Sequence, residues 1–273
     1  MMYLPLKFRL LVPALLVCLF VLARKVLLAQ DSIGISIPHL QTLPNIDGDL
    51  SEWKNQAFSD GSWNLKRVKD SPWYEPGRNN LLVHENEDST AIDLQATYYI
   101  AWHGEYLYLG AEVTDNVNDT HDGKHEPKRW YYKDAIAWFI EIPGDTIPEL
   151  FGEGDHGLCF VIDTSMPSYG AWWRHGTPEE SYIEEVMPAE SKKYSIIMNP
   201  WNENQADYVL EAKVNMKDIF GNGKASWTVP TQEESVRMMI VHCDPDGAAY
   251  GGHLLIYGKG DDDNTWMKAQ FIK

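Results

Sequence analysis

Cysteine is scarce in this chain: its 273 residues hold three, and Cys18 lies in an apolar amino-terminal stretch. The other two, Cys159 and Cys243, make neither a disulfide framework nor a zinc-ligand spacing, although an oxidising compartment would permit them to pair. Positive charge is scarce too. Lys and Arg number 23 against 40 Asp and Glu, a formal net charge of −17. Such a balance opposes nucleic acid and anionic membrane, which need cations for phosphate neutralisation. It suits neutral ligands or bound cations, and it also simply keeps a soluble protein dispersed. After residue 30 there is no long helical periodicity, repeat, linker or low-complexity tract. No Ser or Cys nucleophile motif and no Cys-x-x-Cys-His haem attachment site is present. Gly152-Glu153-Gly154-Asp155-His156-Gly157 matches a bare Gly-x-Gly-x-x-Gly. A strand-like run follows it and its acidic residues repel phosphate, which excludes nucleotide binding.

The amino terminus is of a different kind. Lys7 and Arg9 precede an apolar run at 10–23 that is too short to span a bilayer. The expectation is a signal peptide over 1–29, with cleavage after Ala23 as an alternative. The Arg24-Lys25 pair also leaves an uncleaved anchor open. Cys18 follows Val17, a poor substitute for the small residue of a lipobox. Export to the periplasm, the medium or the cell surface is the reading. Removing 1–29 leaves 19 basic against 40 acidic side chains, a net charge of −21.

Aromatic residues are plentiful instead. All eleven Trp fall after residue 30, more than one sandwich core needs, so some are expected at the surface for stacking. Short alternating or apolar runs are separated by Gly, Pro, Asn and Asp clusters, the pattern of an all-β protein. Runs at 94–102 and 106–113, joined by His103-Gly104-Glu105, predict a β-hairpin with Leu107, Leu109, Ala111 and Val113 facing the core. Further strands are predicted at 135–142, 158–162, 208–214, 236–242 and 254–257, with one helical turn at 216–220. Long loops are expected at 59–90, 115–133, 143–156 and 164–206. The fold class is a two-sheet antiparallel β-sandwich, jelly-roll-like with an immunoglobulin-like overall shape, forming a single domain over 30–273.

Five blocks then stand in order. They are Ile46-Asp47-Gly48-Asp49-Leu50-Ser51-Glu52-Trp53, Ala101-Trp102 with Tyr106-Leu107-Tyr108 through Asp115, Trp130 to Glu141, Tyr208 to Val214, and Asp244-Pro245-Asp246-Gly247. Together, over roughly 40–273, they resemble the family 9 carbohydrate-binding modules. The resemblance implies a jelly-roll-like sandwich in which two aromatic side chains clamp a sugar and calcium supports the loops. Pyranose C–H faces stack on aromatic rings while polar side chains bond the hydroxyls. Carried over by residue, the first clamp aromatic is Tyr131, three residues before Asp134, with Trp130 and Tyr132 adjacent. The second is Trp266, in Asp263-Asn264-Thr265-Trp266. The family's sugar-binding Glu is replaced by Ala137. Period-2 alternation places Ala137 and Phe139 opposite Ile136, Trp138 and Ile140.

Other candidates come from the residues themselves. Trp172-Trp173-Arg174 reads as an aromatic platform beside a guanidinium, or as a loop anchored by its Trp residues; on extended backbone one Trp anchors while the other binds. Trp53 and Trp102 read as core. Asp115, Asn116 and Asp119 form an oxygen-rich loop suited to Ca2+, or a solvated turn. Met238, Met239, His242 and His253 keep a haem-binding electron-transfer sandwich as an alternative, and Ala137 keeps a structural domain with a lost sugar site as another. The function expected is an exported, monomeric, non-catalytic binder of an oligo- or polysaccharide, working beside glycoside hydrolases.

Overall fold

Residues that alternate in polarity every second position pair into two sheets in the computed structural model. It describes residues 34–74, 94–119, 129–143, 152, 154–163, 170–175, 182–201, 206–221, 235–246, 252–260 and 262–273. The expected signal segment lies outside the described residues. Among those described, no helix is long and apolar enough to cross a membrane. One sheet runs β1 (Ile35–Pro38), β13 (Met267–Ile272), β11 (Ser235–Cys243), β5 (Ala135–Glu141), β6 (Asp155–Val161), β7 (Gly170–His175), β8 (Tyr182–Val186). Its eighth strand, β12 (His253–Ile256), pairs with β11 beyond the end of β13. The other sheet runs β2 (Ser62–Trp63), β3 (Leu94–His103), β4 (Tyr106–Asp115), β10 (Tyr208–Asn215), β9 (Lys192–Met198). Strand β1 is parallel to β13; the other strand pairs are antiparallel.

The predicted hairpin is β3–β4, paired from Leu94↔Asp115 to His103↔Tyr106. Its link is therefore Gly104-Glu105, two residues rather than three, with Gly104 at φ +58, which the first position of a tight hairpin turn requires. The predicted helical turn is Met216–Phe220, capped by the Asn215 side chain. Within the stretches read as loops lie β2, β7, β8, β9 and a helical turn at Leu65–Lys69. Strands β1 and β13 are likewise additions to the expected set.

Inward faces of both sheets meet in one core. Ile136, Trp138 and Ile140 from β5 pack with Leu107, Leu109, Ala111 and Val113 from β4, as alternation predicted. Each sheet is also covered outside. On the five-stranded sheet the amino-terminal segment brings Leu40, Ile46, Leu50 and Trp53 against Ala101, Tyr108 and Val209. Glu211 on β10 holds that segment down: its carboxylate accepts from Trp53 Nε1 (2.7 Å), Gly48 N (2.8 Å) and Asp47 N (2.9 Å). Gly48 sits at φ +97 to make the approach. The Ile-Asp-Gly…Trp motif is thus a structural latch.

A polar bridge crosses the core. His242 on β11 lies between Tyr98 on β3 (OH to Nδ1, 2.7 Å) and Tyr208 on β10 (OH to Nε2, 2.8 Å). A neutral imidazole satisfies both hydroxyls, accepting from one and donating to the other. Burial pushes its pKa down to about 3. The unfolded imidazole takes a proton below about pH 6.5 and the native one does not, so the unfolded state binds more protons in that window. The stability that neutral His242 contributes is complete above about pH 6.5 and is lost as pH falls toward about 3. The stability advantage of the wild type over His242→Gln should therefore shrink by about 1.4 kcal/mol per pH unit below pH 6.5. Denaturant titrations of both proteins across that range measure it.

Candidate functional site

The outer face of the eight-stranded sheet is built from the other half of the same alternation. In register across β11, β5, β6, β7 and β8 stand Met239, Phe139, Gly157, Trp173 and Glu184. The neighbouring row is Val241, Ala137, Cys159, Ala171 and Val186. Small side chains thus form a floor beside an aromatic row. A Cβ on Gly157 would come within 2.8 Å of the Phe139 ring, so this glycine lets Phe139 lie across β6.

Aromatic side chains gather over this floor. The turn Trp130–Tyr132 enters β5 from above. Its Trp130 ring lies 5.4 Å from Trp173, 5.7 Å from Tyr131 and 6.2 Å from Phe139 between centroids. Tyr131 is 5.9 Å from Trp173. Phe139 joins them to Trp266 at 5.9 Å. Tyr131 and Trp173 keep part of their surface open, whereas Trp130 and Trp266 are buried. His253 Nε2 donates to the Tyr131 carbonyl at 3.2 Å, and Trp266 Nε1 donates to Lys259 O at 3.0 Å. These edge-on rings form a wall held by the backbone on both sides.

At the end of the sandwich beside this wall the strand termini concentrate carboxylates. Asp115 ends β4, Asp134 precedes β5, Asp244 follows β11, and Asp207 precedes β10; all four are buried. One ligand atom each from Asp115, Asp244 and Asp246 lie within 4.8 Å of one another. Oxygens held about 2.3–2.6 Å from a Ca2+ ion stand at such separations, so the group fits a hard divalent cation. Burial, then the charges of Asp244, Asp119 and Asp246, push the Asp134 carboxyl well up. Asp119 N donates to Asp134 Oδ2 at 2.7 Å, which ties the acidic end to the base of the aromatic turn.

The expected residues therefore divide. Trp130, Tyr131, Trp173 and Trp266 come together. Trp172 does not: it lies on strand β7 rather than a loop and faces the inter-sheet core, stacked on His156 with Nε1 3.1 Å from His156 Nδ1. Alternation on a strand sends neighbours to opposite faces, so Trp172 anchors while Trp173 faces out. Arg174 pairs with His156 and Ile183 through β7; its side chain lies outside the described residues. Trp266, at 2% exposed, backs the wall rather than offering a free ring. Of the expected cation ligands, Asp115 belongs to the acidic group, Asp119 reaches it through Asp134, and Asn116 is exposed. Asp244 and Asp246 were missed as ligands because sequence proximity grouped only neighbours of Asp115. Cys159 and Cys243 are free and buried. They lie on strands flanking β5, about 10 Å apart, beyond disulfide reach. The residues of the haem alternative do not converge. Met238 and His242 face the core with both His242 nitrogens held by tyrosines, while Met239 lies on the outer face.

Fold and site together define an antiparallel β-sandwich with an aromatic outer face. The family model described as carbohydrate family 9 binding domain-like matches residues 67–271, and the chain belongs to that family. Among solved structures, the chain is similar to a family 9 carbohydrate-binding module from Caldicellulosiruptor kristjanssonii in complex with cellotriose. The identity is 11% and the TM-score 0.52, over 87% of this chain and 92% of that one. A glucose complex of a family 9 module from the same organism gives 12% and 0.53, over 87% and 95%. A third solved structure, of a protein from Bacteroides uniformis, gives 11% and 0.50, over 87% and 98%. At such identities the likeness concerns the fold. No curated protein matches the chain by sequence.

The opposite facing of the two tryptophans has a measurable consequence. Trp172→Ala should cost about 3–5 kcal/mol of stability, as for a fully buried Trp, and Trp173→Ala less than half of that. Urea midpoints of the two variants provide the comparison.

Proposed function

We propose that this protein is an exported, monomeric, non-catalytic carbohydrate-binding domain whose ligand lies on the outer face of the eight-stranded sheet. The supporting observation is the convergence of Tyr131 and Trp173, 5.9 Å apart and partly open, with Trp130 and Trp266 backing them. A pyranose stacks its C–H face on such rings and leaves its hydroxyls to polar neighbours. The family and the sugar complexes among its structural neighbours make β-linked glucose oligomers the first ligands to try. Work beside secreted glycoside hydrolases in polysaccharide breakdown fits a binding domain that carries no nucleophile motif.

Calorimetric titration of residues 30–273 with cello- and xylo-oligosaccharides tests this reading. Binding should weaken by at least about tenfold, ~1.4 kcal/mol, in Tyr131→Ala and in Trp173→Ala. It should stay at the wild-type level in Trp201→Ala, whose exposed ring is not part of the wall. Absence of heat with every sugar would move the function to a structural role.

Calcium belongs to the same proposal. Asp115, Asp244 and Asp246 would hold it, and the ion would offset the repulsion of carboxylates packed under the aromatic turn. Calcium at about a hundred times its dissociation constant should raise stability by ~2.7 kcal/mol. Chelator should reverse this, and Asp244→Asn should abolish the response. Thermal melts with and without calcium decide it.

A further inference from the structure

The outer face of the five-stranded sheet carries a cavity of about 220 Å3 at the end where β3 turns into β4. That is below the roughly 300–1,000 Å3 of pockets for larger ligands, so its occupant is small. Leu43 and Pro44 of the amino-terminal segment form one side; Tyr106, Tyr108 and Lys213 form the other. The two sides are tied together: Leu40 N donates to Trp102 O at 2.8 Å, and His103 Nδ1 donates to Leu40 O at 2.8 Å. Tyr108 is directly opposite Lys213 in the β4–β10 register, so both side chains stand on this face. Tyr108 is 1% exposed, and its ring packs beside Trp53 at 6.1 Å between centroids. It lines the cavity, yet its hydroxyl has no hydrogen-bond partner among the described residues. Burial, then the neighbouring Tyr106 phenol, push its pKa up to about 12. At neutral pH the group therefore keeps its proton and can donate it in a hydrogen bond.

Lys213 is the charged counterpart. Its ammonium lies 4.9 Å from the centroid of the Tyr106 ring, a cation–π contact. It has no carboxylate partner among the described residues. On its other side β9 places Lys193 directly opposite, a like-charge pair that costs stability unless an anion offsets it. The one acid lining the cavity among the described residues, Glu105, is answered by Lys217 at 3.8 Å. In a chain with 40 acidic and 23 basic side chains, two facing lysines without an acid point to an anion supplied from outside.

We propose that this cavity binds the carboxylate of a small monoanionic ligand, which accepts from the Tyr108 hydroxyl and the Lys213 ammonium. The site is separate from the aromatic wall, which lies on the outer face of the other sheet, and it does not rest on the glycan reading. One ammonium and one hydroxyl suit a single negative charge, and the Glu105 carboxylate opposes a second. Leu43, Pro44 and the tyrosine rings are left for the apolar part of the ligand. A uronic acid unit of a glycan and a free organic acid share this chemistry.

The test is titration of the protein with glucuronate, glucose and acetate, followed by amide chemical shifts in 15N–1H spectra. Glucuronate should move the signals of Gly104, Glu105 and Lys213, and glucose, which lacks the carboxylate, should leave them in place. Glucuronate affinity should fall by at least about tenfold in Lys213→Gln and by about fivefold in Tyr108→Phe. It should hold within about threefold of the wild type in Lys213→Arg, which keeps the charge. Lys268→Gln, on β13 of the other sheet, and Trp173→Ala should bind glucuronate as the wild type does. Melting temperatures establish that each variant is folded, and Lys213→Gln carries the test where Tyr108→Phe does not fold. Acetate acting at the same signals supports the site and assigns it to free organic acids; glucuronate acting alone supports it and assigns it to acidic sugars. No shift at these signals with either anion, or wild-type affinity in folded Lys213→Gln, would overturn the proposal. Equal binding of glucose at these signals would overturn it too.

Discussion

Strand β5 has almost nothing to give to solvent, and the site depends on that constraint. It is paired along its length on both edges, by β11 and β6, and from Ala135 to Ile140 every residue is buried. Its inward side chains are large and fill the space between the sheets. Its outward ones, Ala135 and Ala137, are small, with Phe139 the exception. A slip of one residue would exchange these faces, pressing Trp138 into the floor and leaving alanine where the core needs a large side chain. The register that stabilises the sandwich therefore also fixes the floor, and Phe139 carries the floor to Trp173 and Trp266.

A second constraint is electrostatic. Four buried aspartates at one end of the sandwich come from four separated strand termini, and His242 with its two tyrosines lies just inside them. Keeping the imidazole neutral there is a cost of burial that the facing hydroxyls offset, since both ring nitrogens are bonded. On Asp134, burial and the charges of its acidic neighbours act in the same direction. Concentrated carboxylates under a turn of three aromatic residues give that end of the molecule a reason to need a cation. The link between ion and site would then be mechanical: Asp134 ties to Asp119 and is followed directly by β5.

What could be read from the sequence was whatever local periodicity encodes. The β3–β4 hairpin, the two opposed faces of β5, and strands β10 and β11 are each where they were expected. Strand β7 was not legible because Trp172 and Trp173 are both apolar: with both faces of the sheet covered, the polar alternation that marks a strand disappears. Strands β8 and β9 were lost for the opposite reason, as edge strands with charged residues such as Glu184, Glu185, Lys192 and Lys193. The candidate site was legible in part. Tyr131 and Trp173 each stood out as an aromatic in a suggestive context, but their meeting depends on β5, β6 and β7 being adjacent, which no single segment states. Asp244 and Asp246 lie near Asp115 only because the end of β11 in one sheet faces the end of β4 in the other.

The aromatic wall also shows how a partly open aromatic face avoids collapsing on itself. Exposed aromatic rings tend to bury one another, so a usable face needs each ring held from behind. Here Trp266 is fixed by its bond to Lys259, Tyr131 by His253 gripping its carbonyl, and Trp173 by a strand whose other face is pinned by Trp172 on His156. Tyr131 and Trp173 keep part of their surface open. A ligand meeting such a face gives up its own freedom but requires little further ordering of side chains, which is the larger part of what pre-organisation contributes to affinity. The buried aromatics are therefore not surplus core: their stability contribution and the shape of the open face have the same origin.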